Sequence, residues 1–132
     1  MSKIDVEDAQ RLREAYSNLL KEVESNQIIA SPAANTKGCK SRLRVSGYES
    51  VQKDLVSFPQ DLARKIRLVY RDIAQENQYI EKIERMGFDK FRQEFPMEWL
   101  QWSRTCIILV DSLKDLQIAL KSKLESIPSL PK

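Results

Sequence analysis

Histidine is absent from this sequence, glycine occurs three times and cysteine twice among 132 residues. Without histidine the commonest general base and metal ligand is missing, and with it the Ser-His-Asp and Cys-His arrangements of nucleophilic catalysis. The Glu-x-x-His ligation of carboxylate di-iron bundles is excluded for the same reason. Two cysteines alone cannot complete a four-ligand zinc site. Gly38 and Gly47 lack the spacing and the Lys-Ser/Thr pair of a phosphate-binding loop. The scarcity of glycine, with no Asn-Gly or Asp-Gly turn between alternating runs, argues against an all-β fold. The longest apolar run, Cys106 to Val110, falls far short of the roughly 18 to 20 residues of a membrane span. The start, Met1-Ser2-Lys3-Ile4-Asp5, lacks the apolar core of a secretory signal. These absences set the expectation of a cytoplasmic protein that is not an enzyme and needs no cofactor or metal. Cys39 and Cys106 fit reduced thiols in such a compartment, Cys106 as a small core residue on an apolar helix face.

What is present is helical pattern. The length suits one domain, residues 1–132, and apolar residues make up 42% of it, enough for a globular interior. Residues 57–87 carry Leu62, Ile66, Val69, Ile73, Ile80 and Ile83 along one side of a helix, with Glu76 as a polar interruption. Ser57 is placed to cap this helix, and Gly87 to end it in a left-handed conformation with Phe88 folding back on Ile83. Residues 97–126 carry a second stripe: Trp99, Trp102, Cys106, Leu109, Leu113, Leu116, Leu120 and Leu124. A first helix continues to about Ser25 through Leu12, Tyr16, Leu19 and Val23, behind a capping box at Ser2 and Asp5. Residues 26–47 lose the period and read as a long basic connection. Residues 48–56 and 89–95 suit short helices, the second stopped by Pro96. The expected fold is an all-α bundle of three long amphipathic helices and one or two short ones, the two longest antiparallel.

Charge is unevenly distributed. Residues 37–71 hold nine basic and three acidic side chains, while residues 72–98 hold four basic and seven acidic. Lys37, Lys40, Arg42 and Arg44 cluster in the connection; Arg64, Arg67 and Arg71 share a face of the central helix. Together they are candidates to follow a nucleic-acid backbone, single-stranded RNA or DNA, with Tyr48 or Tyr70 to stack on a base. The same charges can instead answer the acidic 72–98 segment, within or between subunits. Phe91, Phe95, Trp99 and Trp102 form an aromatic group that suits either the core or a partner-docking patch. Glu81 and Glu84 lie one helical turn apart beside Lys82 and Arg85, the pattern of a solvated face rather than an acid–base pair.

The run Glu98-Trp99-Leu100-Gln101-Trp102-Ser103-Arg104, followed by Ser112-Leu113-Lys114-Asp115-Leu116, resembles the last helix of the small helical subunits of multisubunit CRISPR effector complexes. That resemblance implies a non-catalytic bundle that stacks with copies of itself and contacts nucleic acid through basic faces, in antiviral defence. Arg104 and Lys114 match its basic positions, while the Asn-Gly-Leu turn expected in the first half is missing. Two functions are therefore expected: a non-catalytic subunit of a nucleoprotein assembly, or a protein–protein interaction module, homodimer or adaptor, without nucleic acid.

Overall fold

The structure, a computed structural model, describes residues 6–30, 38–39 and 41–127. They form an all-α bundle. The helices are α1 (Val6–Ala30), α2 (Ser46–Val51), α3 (Gln60–Met86), α4 (Phe88–Glu94) and α5 (Pro96–Ser126), with a 3-10 helix, Gln52–Ser57, continuing α2. The capping box placed at Ser2 and Asp5 lies outside the described residues.

The apolar stripes do what their spacing requires. Leu62, Ile66, Val69, Ile73 and Ile80 of α3 and Trp102, Cys106, Leu109, Leu113, Leu116 and Leu120 of α5 are buried in one continuous core with Tyr16, Leu19 and Val23 of α1. α5 packs along both α1 and α3 and is the shared member of the bundle. Both pairings are antiparallel: Lys82 meets Glu98 and Tyr79 meets Gln101 on one side. On the other, Gln27 donates to the Leu113 carbonyl and Arg13 to that of Ile127.

The boundaries depart from the sequence reading in four places. α1 runs on to Ala30, because the polar residues that break its period have partners. Asn26 bonds the backbone of Arg44, and Gln27 bonds Leu113 and Gln117. Ser57 does not cap α3; it closes the 3-10 helix, and α3 starts after Pro59 without a side-chain cap. Gly87 has φ 86° and ψ 158°, extended rather than left-handed helical, so it turns the chain directly into α4. Phe88 packs on the edges of Trp99 and Trp102, with ring centroids 5.0 and 5.1 Å away. Pro96 starts α5 at its first turn, where a missing N–H costs nothing. No described helix is long and apolar enough to cross a membrane.

Candidate functional site

The segment from Gly38 to Tyr48 crosses the bundle as a strap, and side chains of α1 and α3 hold its backbone. An irregular segment passing between helices must find partners for its N–H and C=O groups. An asparagine amide presents an N–H donor beside a carbonyl acceptor, the same pairing that a neighbouring strand would offer. Asn77 of α3 accepts from the Leu43 N–H (2.8 Å) and donates to the Leu43 carbonyl (3.0 Å). Asn26 of α1 does the same to Arg44, at 2.7 and 3.0 Å. Consecutive residues thus face opposite helices, and the Leu43 side chain is buried.

Glu22 finishes the strap. Its carboxylate accepts from the Gly47 N–H (2.5 Å), the Tyr48 N–H (3.0 Å) and the Tyr70 hydroxyl (2.7 Å). It therefore caps α2 from another helix, where Ser46 and Val45 supply no side-chain cap. Burial, and then the bond to Glu22, pushes the Tyr70 hydroxyl far above its ordinary pKa. Tyr48 and Tyr70 stack on each other at 4.3 Å, nearly parallel; they are partners of one another rather than free platforms for a base.

A second buried group lies where strap, α3 and α5 meet. Cys39 Sγ faces Cys106 Sγ at 2.6 Å, and the Cys39 N–H points to Glu76 Oε2 at 3.5 Å. Trp102 Nε1 donates to the Cys39 carbonyl at 3.1 Å. Gly38 lies flat against the same indole, and a Cβ there would overlap the ring. Glu76 is fully buried, and its Oε1 has no hydrogen-bond partner among the described residues. Burial pushes its carboxyl up to about 8, against the lowering effects of the Cys39 thiol and then the Cys39 N–H. The Cys39 thiol is likewise pushed up, first by the Cys106 sulfur and then by burial. The sequence showed Glu76 only as a gap in a stripe. Nothing in the spacing of residues 39, 76 and 106 announced that they meet.

The described basic candidates sit on two elements, the strap and α3. Lys37 and Lys40 lie outside the described residues. Arg42 donates two hydrogen bonds to Glu84, at 2.8 and 3.3 Å, so it answers the acidic segment of the chain itself. Arg44 is exposed beside α1, its backbone held by Asn26. Arg64, Arg67 and Arg71 are exposed along the first half of α3, whereas Arg42 pairs with Glu84 near its far end. Among the described residues Arg71 pairs with its neighbour Asp72, at 3.9 Å.

The aromatic group faces inward. Phe91, Trp99 and Trp102 are buried and Phe95 is half-buried, with Lys82 over the Phe95 ring. These rings build the core where α4 meets α5.

Beside single exposed apolar residues such as Ile28 and Val56, a row of them lies on the opposite side of α5. Met97, Leu100, Ile107, Ile108 and Ile118 are each between 51% and 68% exposed. At 100° per residue they fall on the side away from the buried stripe, with Arg104 and Asp111 between them. Neither Arg104 nor Asp111 makes an ion pair among the described residues. Comparison of the chain with protein families, with curated proteins and with solved structures finds no match.

Proposed function

We propose that this chain is a non-enzymatic interaction module that pairs with a second copy of itself through the outer face of α5. The observation that carries the reading is the second apolar face of that helix. One side of α5 is buried between α1 and α3, yet Met97, Leu100, Ile107, Ile108 and Ile118 stand on the other. Isolated exposed apolar residues are ordinary; five on one helix face mark an interaction surface.

The face is complementary to itself. A two-fold axis set between Ile107 and Ile108 of antiparallel copies brings Arg104 level with Asp111 of the second copy, and Met97 level with Ile118. Leu100 then lies level with Asp115 at the rim. At the centre Ile107 lies level with Ile108 of the second copy and Ile108 with its Ile107, so the contact is isologous and closes at two copies. Paired charges fix the register while the isoleucines supply the burial.

Sedimentation of the wild type and of charge variants tests this. Wild type should be a dimer at micromolar concentration, Arg104→Asp and Asp111→Arg should each weaken it by setting like charges opposite, and the double exchange should restore it. A wild-type monomer at all accessible concentrations defeats the reading.

A second reading, contact with single-stranded nucleic acid in an assembly, is favoured by the exposed row Arg64, Arg67 and Arg71. Each phosphate contact should contribute about −0.7 to the slope of log affinity against log salt. Arg64→Ala with Arg67→Ala should therefore flatten that slope by roughly 1.4. Absence of binding at low salt removes this reading and leaves the dimer untouched.

A further inference from the structure

We infer that Cys39, Glu76 and Cys106 form a binding site for one thiophilic divalent cation of the zinc class. One ligand atom from each of the three lies within 4.8 Å of the others, and all three residues are buried. They come from three separate parts of the fold: the strap, α3 and α5. Glu76 is the second, independent pointer. It is 0% exposed, its carboxylate has one long N–H contact and the Cys39 thiol beside it, and its Oε1 has no hydrogen-bond partner among the described residues. A buried carboxylate so poorly satisfied needs either a proton or a cation beside it.

A disulfide between Cys39 and Cys106 would account for the two sulfurs and leave Glu76 unexplained. A cation answers all three residues. Two thiolates with one carboxylate select a thiophilic ion over magnesium or calcium, which take oxygen ligands. A four-coordinate ion then needs one further ligand, and the Ala30 carbonyl, 3.9 Å from Cys106 Sγ, or a water is available for it. The Cys39 carbonyl is already taken by Trp102. Zinc–sulfur bonds of about 2.3 Å require the two sulfurs to part by about an ångström, which a small side-chain rotation of either cysteine supplies. Binding releases the proton of each thiol, and that of Glu76 when it carries one, to solvent; nothing is oxidised or reduced. The ion would staple the strap to α3 and α5, so its gain appears as folding stability. This site does not involve the outer face of α5, and it stands or falls independently of dimerisation.

The test is Co²⁺ titration of the reduced, chelator-treated full chain without oxygen. The expected result is a thiolate-to-cobalt band in the near ultraviolet with tetrahedral visible bands, saturating at one equivalent and displaced by Zn²⁺. Cys39→Ser and Cys106→Ser should abolish the bands, and Glu76→Gln should weaken Co²⁺ binding by at least about tenfold. Should those variants fail to fold, two wild-type readouts decide. Zn²⁺ should raise the melting temperature, reversibly with EDTA, and should protect both native thiols from a thiol reagent. Reduced wild type with no band, no shift and no protection overturns the proposal, as does a Cys39–Cys106 cystine in freshly isolated protein.

Discussion

Asn77 holds Leu43 by both of its backbone groups, accepting from the N–H at 2.8 Å and donating to the carbonyl at 3.0 Å. Through this one side chain α3 acts toward the strap as a neighbouring strand would, and Asn26 repeats the contact from α1 at the next residue. Removing either amide strands a donor and an acceptor in a part-buried place. Asn77→Ala should therefore destabilise the protein by about 1–3 kcal/mol, and Asn26→Ala by a similar amount. Urea unfolding checks the size, and hydrogen exchange at Leu43 and Arg44 should accelerate in both variants. Unchanged exchange would show that the strap is held by something other than these amides.

Arg42 and Glu84 form the ion pair that ties the strap to the end of α3, yet both side chains are about half exposed, at 55% and 48%. Exposed pairs of this kind contribute little, because water and salt screen them. Arg42→Ala should lower stability only slightly, with the effect fading at high salt. A larger loss, measured by urea unfolding, would mean that Arg42 bears on the strap's path as well as on its charge.

The buried carboxyl of Glu76 makes stability depend on pH when no metal is bound. Its pKa is raised from 4.5 to about 8 by burial. The folded protein therefore keeps a proton that the unfolded chain releases above 4.5, and stability falls as pH rises through this window, levelling off above about 8. By linkage the loss amounts to several kcal/mol. In EDTA, Glu76→Gln should match wild type near pH 4.5 and exceed it at pH 8, with a flatter profile between. Denaturant midpoints across that range decide the matter. Wild type as flat as the variant would refute the buried-acid account.

Ile73 lies at the middle of the α3 stripe and is fully buried. Ile73→Asp sets an unpaired charge there and should cost several kcal/mol, enough to unfold a marginal domain. A thermal transition like that of the wild type would remove α3 from the core.

The helices were legible because a 3.6-residue period is a property of the chain itself. Leu62, Ile66, Val69 and Ile73, or Leu109, Leu113, Leu116 and Leu120, must share a side of any helix they form, and that side must be buried. Composition fixed the class in the same way: few glycines, no hairpin turn, no histidine. The aromatic group was legible as a cluster for the same reason, since Trp99 and Trp102 are one turn apart, but not as core or surface. Which way Asn26, Gln27 and Glu76 would go was not legible. A polar residue in a helical pattern ends the period, caps a neighbour or bonds a distant backbone according to what lies opposite. Those partners, Arg44, Leu113 and Cys39, are far away in the chain. The meeting of Cys39, Glu76 and Cys106 depends in the same way on how three elements pack. So does the difference between the two apolar sides of α5, because α1 and α3 together can cover only one of them. Periodicity is local and survives in the sequence; proximity between distant residues exists only once the helices have packed.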